Sequence, residues 1–449
     1  MKHSLVLLSC IALFGACSSA APAGDAKDAH DATEKPPIAP PKPTPVLQGT
    51  RRGPSPRETR VVDELMGSAE RVRGLTFKRP VPVLVEDRDR ITSYVESQIE
   101  DEELDRARVV YAALGLLPQD LDVRSLLLRL MGEQVVGYYD AEEKHLVVRD
   151  DVMRAFGRGD DMNAEEGSEL SEARIVLVHE LVHALQDQHL NLFQNIHATR
   201  DTDADNAFHA LVEGDATLAM IGYALEREDI PLSRLTGNPS QIQSFSDVVR
   251  RSPLAGTELE QAPAIIRVPL LSAYVDGLAF CASLHGVGGF EAVNRAHAMP
   301  PVSSEQVLHP TRFAEPDLPQ QLKLPELPEL AAAGYEVVRE DTLGELEIGV
   351  YFSQGAREAD AKRAADGWDG DRLRVYRSAT QPPAVVWVSV WDSERDAQEA
   401  EAAAAHVARQ FPTPPADRWE VVRKAKKLLI VRDLAPQLRA RIPAIALGP

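Results

Sequence analysis

Apolar and polar positions change rhythm several times along the chain. Leu5 to Phe14 is a short apolar run, and Ser18 to about Arg57 is a Pro-, Ala-, Asp- and Lys-rich stretch with no period. From Glu58 onward periodic patterns begin. "TRVVDELMGSAERVRGL" repeats like an amphipathic helix, and "RPVPVLVED" reads as a short strand bounded by prolines. One or two helices follow in "DRDRITSYVESQIEDEELDRARVVYAALGLL", with Asp87 as a cap. "DVRSLLLRLMGEQVVGYYDAEEKHLVVRDD" then gives a helix and a hairpin. Its strands are Val135 to Tyr139 and His145 to Val148, joined by the polar turn Asp140 to Lys144.

Three helical stretches carry the strongest pattern: Glu172 to about His189, "DADNAFHALVEGDATLAMIGYALERED", and "PAIIRVPLLSAYVDGLAFCASLHGVGGFEAVNRAHAMPP" with an interruption at Gly286 to Gly289. Prolines recur between Pro316 and Pro328, which marks a boundary. Beyond it "LEIGVYFS", "LRVYRS" and "AVVWVSVWD" read as strands and "ERDAQEAEAAAAHVARQF" as a helix. The expected division is 1–17, 18–57, 58–327 and 328–449, the last a small α/β module of minimal domain size. In that module "AADGWDGDRLRVYRS" is read as a Gly-rich turn leading into a strand, with Trp368 as a hydrophobic anchor, and the alternative is a binding turn displaying Trp368, Asp369, Asp371 and Arg372.

The helix "ARIVLVHELVHALQDQHLNLF" poses a chemical question, because His179, Glu180 and His183 sit among residues that bury it. Positions four apart lie on one helical face, so both imidazoles can grip a single ion, and neutral imidazole suits Zn²⁺. Glu180 can take a proton from a water that attacks a polarised carbonyl. Such a buried polar group is costly unless something organises it. Asp187, four residues after His183, is a candidate acceptor for that ring's other N–H. A third ligand is needed. Glu213 in "FHALVEGDATLAM" is the preferred one, because a carboxylate completes a recurrent catalytic set. His209 on the same face is its competitor, with Asp205 and Asp215 weaker. Asp215 reads equally as a supporting carboxylate. Gly214 permits close packing beside Glu213.

The pair "HELVHALQDQ" and "ALVEGDA" resembles the gluzincin clan of zinc metallopeptidases, and in particular bacterial envelope proteins with that signature. "VVGYYD…KHLVV" and "SSEQVLHP" are similar to the same group, so the likeness runs from about Arg71 to Phe313. It implies a thermolysin-like site in which His179, His183 and Glu213 hold zinc and Glu180 is the base. One position departs. Four residues after the carboxylate ligand thermolysin-type enzymes carry aspartate, where this chain has Thr217, and Asp215 is the candidate substitute. Enzymes of this kind add a Tyr or His that donates to the tetrahedral intermediate. Tyr138, Tyr139, Tyr274, His285 and His309 are the candidates, and His309, in the irregular "VLHPTRF", is put forward as a catalytic residue. The hairpin strand ending at Tyr139 offers a place for an extended peptide to add as a further strand.

Composition narrows the partners. A net charge of −20 spread along the chain argues against nucleic acid, which calls for a basic surface. Met1, Lys2 and His3 ahead of the apolar run read as a secretory signal. The run ends "LFGAC", which resembles the lipobox of bacterial lipoproteins and implies lipid attachment at Cys17, with cleavage after "SSA" in an ordinary signal peptide as the alternative. The stretch to Arg57 would then be a tether holding the protein in the cell envelope, at the outer membrane. Cys281 is left alone in an apolar helix, so no disulfide framework is expected.

The expected fold is α+β: a zincin-like, mainly helical domain with a small antiparallel sheet, followed by the α/β module. The expected activity is Zn²⁺-dependent hydrolysis of peptide or protein substrates. The rivals are a non-catalytic envelope protein that binds peptides or protein partners on the same scaffold, and hydrolysis of another amide such as a cell-wall peptide.

Overall fold

The structure is a computed structural model. It describes residues 47–132, 135–160, 169–196, 198, 200–238, 240–242, 244, 258–411 and 418–447; Cys17, the signal segment and the tether up to residue 46 lie outside the described residues. Regular structure is described ahead of the boundary expected at 57/58. Arg51–Arg52 (β1) pair antiparallel with Val83–Glu86 (β2), and Ser55 opens the first helix, α1 (Pro56–Arg73). There the Ser55 hydroxyl accepts from Glu58 N and the Glu58 carboxylate accepts from Ser55 N at 2.6 Å, a reciprocal cap that satisfies two helix-end donors. Asp87 caps α2 (Arg88–Gln98) as its sequence position suggests, and α3 (Asp101–Ala113) and α4 (Val123–Gly132) follow.

The hairpin forms as β3 (Gly137–Asp140) and β4 (His145–Arg149), after which come α5 (Asp150–Arg158), α6 (Glu169–Leu190) and α7 (Thr202–Glu226). The four-stranded sheet has the order β1-β2-β4-β3, and β2 runs parallel to β4. The sheet expected to be antiparallel is therefore mixed. Between β2 and the hairpin the chain passes through three helices, a crossover long enough to return a strand in the same direction. One face of the sheet meets α6: Val136, Leu146 and Val148 share a core with Val62 and Leu65 of α1 and Leu177 and Leu181 of α6.

The longest helix, α8 (Ala264–Ala298), breaks at Gly288 and Gly289, where the backbone leaves helical angles. By length and composition α8 could cross a membrane, yet 72% of its most apolar window is buried within the protein, which makes it a core helix. It crosses α7 at glycines. A Cβ on Gly214 would lie 2.1 Å from the Gly277 carbonyl, and one on Gly277 would lie 2.1 Å from Ala210 O. Any side chain at either place would force the helices apart. Cys281 is fully buried beside this crossing, its thiol donating to Leu211 O. A short helix, α9 (Ser304–Leu308), completes this half.

The tail carries a second sheet, all antiparallel, ordered β5-β6-β7-β9-β8. Its elements in chain order are β5 (Tyr335–Asp341), α10 (Gly344–Ser353), α11 (Glu358–Ala365), β6 (Trp368–Ser378), β7 (Ala384–Trp391), α12 (Glu394–Gln410), β8 (Trp419–Lys424) and β9 (Lys427–Arg432). Central β7 is buried throughout. Val385 and Trp387 face one cluster and Val386 and Val388 the other, as a strand's twofold alternation requires. "LEIGVYFS", read as a strand, is the helix α10. Its residues are buried all round, Glu347 included, and burial on every side erases the helical period from the sequence. One continuous apolar cluster joins Leu104 and Leu127, through Ile265 and Leu270 of α8, to Ile348, Trp387 and Val407 of the tail, so the two halves share a core. The molecule is a mixed α/β protein with two small sheets.

Candidate metal centre

The two histidines of "HELVH" lie on the buried face of α6, and α7 crosses in front of them. His179 Nε2 is 3.0 Å from His183 Nε2 and 3.1 Å from Glu213 Oε2, and His183 Nε2 is 3.6 Å from the same carboxylate oxygen. Two ligand atoms held tetrahedrally at 2.0–2.1 Å from a zinc-sized ion are about 3.3 Å apart. The three separations bracket that value, so these atoms could share one small cation without rearrangement. A carboxylate oxygen of Glu180 lies within 4.8 Å of the ligating atoms of both imidazoles. All four side chains are buried.

The electrostatics follow from that burial. Burial pulls the His183 imidazolium down, but Glu213 outweighs it and pushes the group up to about 9. Burial likewise opposes the Glu213 carboxylate, yet His183 and His179 hold it well below the usual range. Glu180 goes the other way, its carboxyl raised chiefly by burial against the pull of the two histidines. Its Oε2 accepts from Tyr139 N at 2.9 Å, while its Oε1 and His179 Nδ1 have no hydrogen-bond partner. Four polar side chains thus converge with atoms left over.

Behind the pair stands a network that the sequence did not announce. His183 Nδ1 meets Gln186 Oε1 at 2.8 Å, and Gln186 Nε2 donates to Val212 O and to Asp215 Oδ2, each at 2.9 Å. The side chain that meets that ring's Nδ1 is Gln186, while Asp187, the candidate expected there, is drawn to cations and a hydroxyl on the other side. Asp187 instead accepts from the Tyr139 hydroxyl at 3.0 Å, Lys144 Nζ at 2.7 Å and Arg79 at 3.2 Å, tying α6 to the hairpin. Asp215 is fully buried with Arg73 of α1, Nε to Oδ1 at 2.7 Å, and His297 Nε2 lies 3.0 Å from its other oxygen. Burial would raise its pKa, but Arg73 and His297 hold it well below the ordinary carboxylate range. Asp215 therefore reaches His183 through Gln186. Thr217, where thermolysin-type enzymes carry aspartate, is buried with a hydroxyl that has no partner.

The remaining candidates separate. Tyr274 on α8 lays its ring against His179, centroids 6.0 Å apart at 29°. Tyr138 stacks on Tyr94, and His285 bonds Thr236 Oγ1 at 3.0 Å. His309 sits in a different cluster, its Nε2 3.0 Å from both Glu345 oxygens and 3.8 Å from Asp366, at the seam with the tail. The irregular backbone that singled it out presents it to α10. His209 and Asp205 lie one and two turns before Glu213 on α7, lining a cavity with residues of α3, α4, α8 and the tail. Trp368 is fully buried, its indole N–H donating to Asp371, so the Gly-rich turn is structural.

The strand order places β3 at a sheet edge. Arg149 N donates to Val136 O across the hairpin, and alternation in an antiparallel pair then turns the backbone groups of Gly137 and Tyr139 toward that edge. The Tyr139 N–H found on Glu180 fits this register.

Among known families, a domain of unknown function, DUF8575, matches residues 333–434, which is the tail with its five-stranded sheet. No curated protein and no solved structure matches the chain.

Proposed function

We propose that the protein is a zinc-dependent peptidase with the zincin-like site that its "HELVH" and "VEGD" segments resemble. The observation that carries this reading is the triangle of His179, His183 and Glu213, with sides of 3.0, 3.1 and 3.6 Å, and the Glu180 carboxylate beside it. Zinc bound there would polarise a peptide carbonyl and acidify the attacking water. Glu180 is fitted to receive the proton. Its Oε2 is pinned by Tyr139 N–H, its Oε1 is unengaged, and burial raises its basicity. Gln186, backed by Asp215 and Arg73, keeps the His183 ring turned to the centre. The outward backbone groups of Gly137 and the outward carbonyl of Tyr139 would align an extended peptide along β3, past Glu180. We further propose that lipid at Cys17 anchors this activity in the cell envelope.

The test is metal content and turnover on the soluble chain from Gln48 onward. One zinc per chain is expected, with peptide hydrolysis reduced 10²- to 10⁴-fold in Glu180→Gln at unchanged metal content. Zinc binding with no hydrolysis of any peptide by the wild type would favour the non-catalytic binding role. Loss of zinc in His209→Ala but not in Glu213→Ala would overturn the ligand set.

A further inference from the structure

His309 takes no part in the centre proposed above, yet it meets two carboxylates where the two halves join. Its Nε2 lies 3.0 Å from both oxygens of Glu345, in the first turn of α10, and 3.8 Å from Asp366, which follows α11. One ligand atom from each of the three side chains falls within 4.8 Å of the others. Atoms about 2.1 Å from a shared ion stand about 3.0–3.4 Å apart at right to tetrahedral angles. The Glu345 distances fit, and Asp366, whose side chain is more than half exposed, has room to close its gap. Glu345 is buried, and among the described residues its carboxylate bonds to His309 alone.

The charge around the trio is lopsided. Arg312 acts on both His309 and Glu345, but its guanidinium already donates to Glu305 at 2.8 Å, Asp392 at 2.8 Å and Asp317 at 3.1 Å. Three other carboxylates therefore share it. Even a protonated His309 would bring one positive charge to two carboxylates, whereas a divalent ion beside a neutral imidazole balances them.

We infer that His309, Glu345 and Asp366 form a second metal site, for a divalent ion of the Mn²⁺ kind. Carboxylates, and the water that an open site admits, suit Mg²⁺, Ca²⁺ and Mn²⁺, and the imidazole selects the transition ion among them. The ion would join two separate parts of the chain. His309 follows α9 in the helical half, while Glu345 and Asp366 belong to the tail. On its other side α9 is held by α7: Ser304 Oγ accepts from Leu346 N at 3.1 Å and donates to Asp203. The site would thus clamp the tail against the helix that carries Glu213. It is independent of the peptidase reading.

The experiment is titration of the metal-free full chain with Mn²⁺, followed by the paramagnetic resonance signal of the free ion. It is done on His183→Ala, which dismantles the other centre, with Glu213→Gln as a second background should the first not fold. One Mn²⁺ per chain should bind. Adding either His309→Gln or Glu345→Gln should weaken binding by about tenfold or more, at least what losing a supporting group costs a metal site. The melting temperature should rise with Mn²⁺ concentration in the background and not in those double variants. Circular dichroism without metal confirms that each is folded. Absence of binding in either background, or binding that both added substitutions leave intact, overturns the proposal. Displacement by an equal concentration of Ca²⁺ would show an ordinary acidic surface and overturn it too. Loss of zinc or of peptide hydrolysis in His183→Ala bears on the other centre alone, so the two readings fail separately.

Discussion

The two halves of the molecule each bury a carboxylate deep among aromatic and apolar side chains, and they treat it differently. In the tail, Asp371 receives four donors: Gly344 N and Trp368 Nε1 on one oxygen, Leu343 N and Trp387 Nε1 on the other, all at 2.9–3.1 Å. It caps α10 from a neighbouring strand and pins two indoles, so its hydrogen-bonding capacity is spent on the fold. In the helical half, Glu180 has one oxygen held and one without a partner, beside a histidine whose Nδ1 is also unengaged. Leaving such atoms unpaired costs about 1–3 kcal/mol each. A fold tolerates that cost where something other than the fold uses the atoms, as binding and catalytic sites do. If the proposed function holds, satisfaction, more than burial, is what separates Glu180 from Asp371.

Asp215 gives the hardest test of that distinction, because it lies beside the candidate centre with Oδ2 bonded to Gln186, Arg73 and His297, while Oδ1 is held by the Arg73 charge without a hydrogen bond. Arg73 is entirely buried against it. Asp215→Asn removes the countercharge and leaves the guanidinium uncompensated. The expected loss is about 3–5 kcal/mol of stability, measured by urea unfolding. Because Gln186 loses its anchor, zinc affinity should also fall about 10- to 100-fold. An unchanged midpoint would mean that engagement does not mark the structural carboxylates.

Asp371→Asn should cost less, about 2–3 kcal/mol, since one carbonyl oxygen still serves two of the four donors while the new amide faces the other two. The change lies in the tail, so zinc content and turnover per folded molecule should match the wild type. A selective loss of metal would show that the tail shapes the centre more directly than its contacts imply.

These tests also mark what the sequence could disclose. His179, Glu180 and His183 were legible because their geometry is local, fixed by the pitch of one helix. Glu213 was legible through its apolar surroundings, and Gly214 through the close crossing that its neighbours demanded. Arg73 was not. It sits in the last turn of an amphipathic helix, 142 residues from Asp215, where an arginine normally faces solvent or complements the helix end. Gln186 carried no chemical label, since an amide becomes a ligand support only beside its histidine. Strand direction was hidden for a similar reason: β2 and β4 have the same alternation whether they run parallel or antiparallel. At His309 the irregular backbone showed that a side chain is displayed, not to which neighbour, and that neighbour is Glu345 of α10.

Acid titration sharpens the comparison further. The Asp215 carboxyl is held below its ordinary value of 3.8 in the folded protein, where Arg73 and His297 overcome the effect of burial. A depressed carboxylate contributes stability that is whole above that ordinary value and is lost as pH falls beneath it, because the unfolded chain then binds the proton first. Wild-type stability should therefore drop steeply below about pH 4. Asp215→Asn, already weaker, should have a flatter acid limb. Equal slopes for the two proteins would place the acid sensitivity elsewhere.

The smallest expected effect has the opposite sign. Glu180→Gln keeps an oxygen to accept from Tyr139 N–H and replaces the unpartnered, buried Oε1 by an uncharged amide. Burial already disfavours the charge at this position. In metal-free protein the substitution should leave stability unchanged or raise it by about 1 kcal/mol. Asp371→Asn should lower stability by two or three times that amount. Matched urea titrations of the two variants decide it. A destabilised Glu180→Gln would mean that the carboxylate serves the fold, and the reading of its unpartnered oxygen as reserved for chemistry would have to be given up.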